Sequence, residues 1–143
     1  MKTLIEKLCN FAKRLDSLIL LLLRLVLAYG FYSPAKMKWN DIGAIADWFE
    51  SMNYPLPTLN AYLASITEAA GVILLFLGFA THFISIPLMF VMLVAIFTVH
   101  FSNGFEAGNN GFEIPLYYLI MLFTLFVFGG GKYSIDSLIR KKK

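Results

Sequence analysis

Four runs of apolar residues, Leu15 to Tyr32, Leu59 to Ala80, Phe83 to Phe101 and Ile114 to Phe128, take up most of the chain and leave only short polar stretches between them. A bilayer core of about 30 Å needs about 20 apolar residues per helical crossing, so the runs predict helical spans, the last being short. With 59% hydrophobic and 15% charged residues and a mean hydropathy of +0.71, the chain departs far from the roughly one-quarter charged balance of soluble domains. The expected fold is all-α: an integral membrane four-helix bundle forming one domain over residues 1–143. Its spans are expected near 15–32, 59–80, 83–101 and 113–129.

All the lysines and arginines except Arg24 sit outside these runs. Lys2, Lys7, Lys13 and Arg14 precede the first, Lys132, Arg140, Lys141, Lys142 and Lys143 follow the last, and Lys36 and Lys38 lie between the first two. Such a bias predicts both termini on the cytoplasmic side of a bacterial inner membrane and argues against a nucleic-acid-binding face. The lipid bilayer is the first expected partner. Arg24 inside the first run argues against a cleaved secretory signal, because a lone cation costs about 2.5–3.5 kcal/mol at the centre of an isolated span. The single cysteine, Cys9, excludes an internal disulfide and a four-cysteine zinc site.

Punctuation between the runs fixes connectivity. Asn40 or Asp41 is placed to cap a short interfacial helix carrying Ile42, Ile45, Ala46, Trp48, Phe49 and Met52, which Pro55 and Pro57 then stop. Ala80-Thr81-His82 is so short that the second and third spans must be an antiparallel hairpin. Gly129-Gly130-Gly131 ends the fourth run, and Ser134 or Asp136 is placed to cap a short terminal helix. Gly129 to Ser134 is no phosphate-binding loop, since Phe126 stands where that motif requires glycine.

Ionisable residues inside apolar runs carry the functional information, because each is expensive there. Counted from the basic ends of their runs, Arg24 and Glu68 lie roughly 14 and 18 Å deep at 1.5 Å per residue, which predicts that they meet near the midplane. They then form either a structural ion pair or a proton or ligand site. Ala61, Ala64, Glu68, Gly71, Leu75 and Gly78 share one helix stripe that admits a close neighbour. A second stripe, His82, Ser85, Met89, Met92, Ile96 and His100, reads as packing; spread along a whole helix, it cannot converge on one metal ion. No metal site is expected. His100, Glu113, Lys36 and Trp39 all fall near the outer ends of spans, so an entrance is expected there above Arg24 and Glu68.

Several segments resemble the DoxX family of small bacterial four-helix membrane proteins. They are the opening Leu21 to Trp39 with Arg24 and Lys36, Glu68-Ala69-Ala70-Gly71 with Leu77-Gly78, Asn110 to Leu116, and Gly129 to Asp136 with its Gly-x-Gly-x-x-Ser-x-Asp pattern. His82, Ser33 and Pro34 depart from the usual family residues. Asn40-Asp41-Ile42 with Trp48-Phe49 is similar to the branch found with enzymes that mature copper-binding peptides of the bufferin kind. The family includes a subunit of thiosulfate:quinone oxidoreductase. The resemblance therefore implies a redox-linked accessory subunit for a quinone-type carrier, working with a protein partner that supplies the redox centre. Arg24, Glu68 and His100 are then the candidate catalytic groups, and Lys36, Trp39 and Glu113 the candidate binding groups. The alternative is a non-catalytic membrane component of peptide maturation or copper handling, whose partner brings the peptide; copper is the less favoured cofactor.

Overall fold

The computed structural model describes residues 2–141. Among them the chain forms only helices and loops: α1 (Lys2–Arg14), α2 (Asp16–Asn40), α3 (Ile42–Ser51), α4 (Pro57–Leu77), α5 (Thr81–Ala95), α6 (Glu113–Phe128) and α7 (Ile135–Lys141). A π-helical turn (Ile96–His100) and short 3₁₀ turns (Phe101–Asn103, Ala107–Asn109) continue from α5 into the following loop. α2 packs on α4, α4 on α5 and α5 on α6, and α6 closes back onto α2. The result is the expected four-helix bundle, with α3 laid against α4.

Its core is a column of Leu20, Leu27, Phe31, Leu75, Leu88, Leu122 and Leu125. In a bilayer such a column gains little from leaving lipid and is held by close packing, so small residues matter where helices touch. At Gly71 a Cβ would come within 2.8 Å of Leu88 Cδ1, so this glycine is what lets the buried Leu88 of α5 seat on α4. Outward faces carry Leu22, Ile73, Phe76, Phe83, Phe90 and Phe123, all exposed. That much open aromatic and aliphatic surface suits lipid and not water. Three stretches, Asp16–Asn40, Pro57–Leu77 and Thr81–Asn103, are long and apolar enough to cross a membrane; α6 is a shorter apolar helix of 16 residues.

The helix holding the first apolar run is longer than the run itself. It passes through Pro34 to Asn40, with Ala35 buried beyond the proline. Pro34 removes one amide donor to the carbonyl four residues back, a loss that neighbouring helices make tolerable in membrane spans. The interfacial helix is present: the Asp41 carboxylate accepts the Ala44 amide at 3.0 Å, and Ala46 and Phe49 pack on Ala61 of α4. Asp136 departs from its expected role. Ser134 Oγ accepts the Ser137 amide and caps α7, whereas the Asp136 carboxylate reaches across to the Ala80 and Thr81 amides, at 2.8 and 2.9 Å, and caps α5.

Candidate functional site

Arg24 and Glu68 do not meet. Arg24 is fully buried, and its guanidinium donates to the Leu75 carbonyl at 3.3 Å and to the Tyr133 carbonyl at 2.5 Å. Glu68 is 3% exposed and receives Lys38 Nζ at 2.7 Å on Oε2 and 2.9 Å on Oε1. The expected midplane pair is thereby corrected: fourteen residues of α2, about 21 Å of helix, separate Arg24 from the Lys38 that holds Glu68, so the two lie at different depths, and side-chain direction widens the gap. Cα–Cβ bonds tilt toward a helix N-terminus. α2 and α4 run antiparallel, so Arg24 leans toward the end of the bundle that carries both termini and Glu68 leans the opposite way. Seven residues separate Glu68 from Leu75, about 10 Å of helix.

The structure thus holds two polar layers. In the terminal layer, Arg24 joins α2 to the last turn of α4, whose carbonyl end favours a cation. It also ties in the loop before α7. Gly78 ends α4 at φ +67°, and a Cβ there would run into the Arg24 guanidinium, so backbone conformation and close approach both require glycine. Among the described residues, Arg24 Nε and Thr81 Oγ1 are buried in this layer without a hydrogen-bond partner. His82 Nδ1 lies 2.6 Å from the Phe126 carbonyl, joining the hairpin turn to the end of α6.

The opposite layer is the more promising chemically. Lys38 and Glu68 have side-chain exposures of 13% and 4%, and Trp39 Nε1 donates to the Ser65 carbonyl at 3.3 Å, one turn from Glu68. Trp39 remains about half exposed, next in sequence to Lys38. Of the expected site residues, the fold brings Glu68 and Trp39 together and leaves Arg24 in the other layer. Lys36 is exposed; two residues from Lys38, it falls about 200° round the helix, on the other side.

His100 and Glu113 hold their own loop. His100 Nδ1 lies 2.8 Å from the Asn110 carbonyl, and the Glu113 carboxylate accepts the Ala107 amide at 2.9 Å and the Tyr117 hydroxyl at 3.0 Å. Gly111 lies against the Gly104 and Glu106 carbonyls, which pins the segment shut. Among the described residues no hydrogen bond or ion pair links either side chain to Glu68 or Lys38, and no group of three His, Cys, Asp or Glu side chains is arranged as metal ligands.

Lys38 is the residue the sequence reading missed, and a signal for it existed. Leu20, Arg24, Leu27, Ala28, Phe31 and Ala35 form one buried stripe at spacings of one to four. Continued by three and four residues it arrives at Lys38 and Trp39, provided that the helix is carried through Pro34.

A helical bundle with lipid-suited outer faces and two interior charged layers defines a polytopic membrane protein. Residues 19–101 match the DoxX family, and the chain belongs to it. Among curated relatives, an uncharacterized protein of Haemophilus influenzae is 32% identical over 130 residues, covering 85% of this chain and 83% of that protein. A Bacillus subtilis protein named "Putative oxidoreductase CatD" is 28% identical over 125 residues, covering 86% of this chain and 88% of that protein. No solved structure matches the chain significantly.

Proposed function

We propose that this DoxX protein is a redox-linked membrane subunit that offers the Lys38–Glu68 pair to a lipid-soluble carrier of the quinone class, while a flavoprotein or iron–sulfur partner supplies electrons. The observation that carries this reading is the buried acid–base pair itself, 2.7 Å between nitrogen and oxygen, within helices apolar enough to cross a membrane. Ionisable residues within membrane spans are retained chiefly for transport, proton relay or ligand contact. The name given to the Bacillus relative favours the same class.

An ammonium has three donors and Glu68 engages two of them, so one N–H of Lys38 remains for a carrier oxygen. A proton passed from Lys38 to Glu68 leaves both groups neutral and moves no net charge, which keeps the exchange cheap in hydrocarbon. Reduction of a quinone to a quinol would take two electrons, here from the partner, and two protons; Lys38 would pass one to the carrier oxygen it touches and be reprotonated from water, and the other oxygen would take its proton from water.

The test is quinone content. Protein extracted in mild detergent should co-purify with near-stoichiometric quinone. The charge-free double variant Lys38→Met with Glu68→Gln should fall to the level of an unrelated membrane protein. Equal content in the two proteins overturns the proposal.

A further inference from the structure

At the end of the bundle that carries both termini, a shallow, largely open recess of about 370 Å³ lies beside the start of α2. Lys132, Arg140 and Lys141 line it together with the hydroxyls of Ser17 and Ser137, and Phe128 forms an apolar wall. The recess is built by the chain's own fold. The Lys132 amide donates to Ser17 Oγ at 3.3 Å, and Gly131, at φ +74°, lies close enough for a Cβ to come within 3.3 Å of the Ser17 backbone. These contacts hold the closing loop against α2 and leave three cations facing one recess. Asp136, the carboxylate within the same segment, is turned away to cap α5. Asp16 is the acidic neighbour on the α2 side and is exposed.

Helix α1, which leads into that recess, is amphipathic around its whole circumference. Advanced at 100° per residue, Phe11, Leu4, Leu8, Ala12, Ile5 and Cys9 occupy an arc of roughly 160°. Lys13, Glu6, Asn10, Thr3, Arg14 and Lys7 fill the remainder. Leu4, Ile5, Leu8 and Phe11 are 56–64% exposed, so among the described residues nothing covers most of the apolar face. A helix of this pattern, with cations along its edges and joined directly to a membrane span, lies in the plane of the headgroups.

We propose that the recess binds the phosphate of an anionic phospholipid, with α1 lying in the same leaflet beside it. Lys132, Arg140 and Lys141 neutralise the phosphodiester, the Ser17 and Ser137 hydroxyls donate to its oxygens, and Phe128 meets the start of an acyl chain. Basic recesses at span ends select anionic headgroups because each nearby cation strengthens binding about fivefold.

Full-length protein in neutral detergent would be titrated with phosphatidylglycerol, phosphatidylcholine and inorganic phosphate. Thermal stability and native mass spectrometry would be read for each. Phosphatidylglycerol should raise the unfolding temperature and persist as a bound adduct, and phosphatidylcholine should do neither. The triple variant Lys132→Gln, Arg140→Gln, Lys141→Gln should bind phosphatidylglycerol on the order of a hundredfold more weakly, from about fivefold per cation removed. Should that variant fold poorly, the wild-type protein serves: its preference for phosphatidylglycerol should fall steeply as salt rises from 0.05 to about 0.5 M, since the Debye length contracts. Equal retention of both lipids, an unchanged triple variant or a salt-independent preference overturns the proposal. Stabilisation by inorganic phosphate equal to that by phosphatidylglycerol identifies a free-anion site and overturns the lipid assignment.

Discussion

The separation of Arg24 from Glu68 can be tested by a pair of double-mutant cycles. Lys38 and Glu68 lie 2.7 Å apart with side-chain exposures of 13% and 4%, so their attraction is weakly screened. At an effective dielectric of about 20, the gross Coulomb energy at that distance is about 6 kcal/mol, much of it offset by desolvating both groups. Removing one partner leaves a buried charge uncompensated and costs about 3–5 kcal/mol; removing both costs far less. Lys38→Met and Glu68→Gln should each lower the unfolding temperature in detergent by roughly 6–20 °C, taking about 2–4 °C per kcal/mol for a chain of this size. The double variant should recover most of that loss, a coupling of more than about 3 kcal/mol. Arg24→Gln is the reference partner. It shares no acceptor with Glu68, since its contacts are the Leu75 and Tyr133 carbonyls. Its cycle with Glu68→Gln should therefore be additive to within about 0.5 kcal/mol. Additivity between Lys38 and Glu68, or strong coupling between Arg24 and Glu68, refutes this geometry.

The remaining expectations concern the frame around the pair. Asp136→Ala should remove the cap from α5 and cost about 0.5–2 kcal/mol, read as a lower unfolding temperature, with Asp136→Asn milder because its amide oxygen still accepts one hydrogen bond. Gly78→Ala should destabilise more than Gly43→Ala in the same assay, because Gly78 combines φ +67° with the Arg24 guanidinium, whereas an added Cβ at Gly43 meets nothing closer than 3.6 Å. Reporter fusions after Asn109 and after Lys143 should fall on opposite sides of the membrane; finding both on one side would refute a four-crossing path.

How far the sequence could be read depended on which physical quantity set each feature. Element existence followed from apolar length and from punctuation, so the bundle, the α3 segment and the α4–α5 hairpin were legible before any coordinates. The α4 stripe was legible too, because Ala61, Glu68, Gly71 and Leu75 repeat at helical spacing and all are buried. Contacts between charged side chains were not. Depth counted from the ends of the apolar runs put Arg24 and Glu68 near one level, but those ends are not level in the bundle, and the opposite lean of long side chains on antiparallel helices widens the offset. The full length of the helix that holds the first run was hidden in the sequence for a local reason. Ser33-Pro34 has the composition of a helix stop, yet the bundle tolerates a proline there, and the extra turns carry Lys38 down onto Glu68. Asp136 shows a third limit: the local pattern fits a cap for α7, but the amides it serves belong to α5, more than fifty residues away in sequence.

The two layers differ in what they can do with a proton. Arginine stays charged at any accessible pH, so Arg24 cannot exchange one; between two backbone carbonyls it acts as a fixed cation that ties three segments together. Its surroundings agree with that role, since Gly78 is shaped to its guanidinium and its carbonyl partners close a helix end and a loop. Lysine and glutamate paired in hydrocarbon are of another kind. Both forms of the pair, ionised and neutral, carry zero net charge, so the cost of burial falls on the dipole between them and the energetic gap between the forms narrows as water is excluded. A group arriving at Lys38 with an acceptor oxygen then competes with Glu68 for the same hydrogens, and that competition is what turns a structural pair into a responsive one. The neighbouring Trp39 is about half exposed, and its N–H donates to the Ser65 carbonyl one turn from Glu68. The charges that most influence folding and those best suited to chemistry therefore lie on the same two helices, α2 and α4, at opposite ends of their contact.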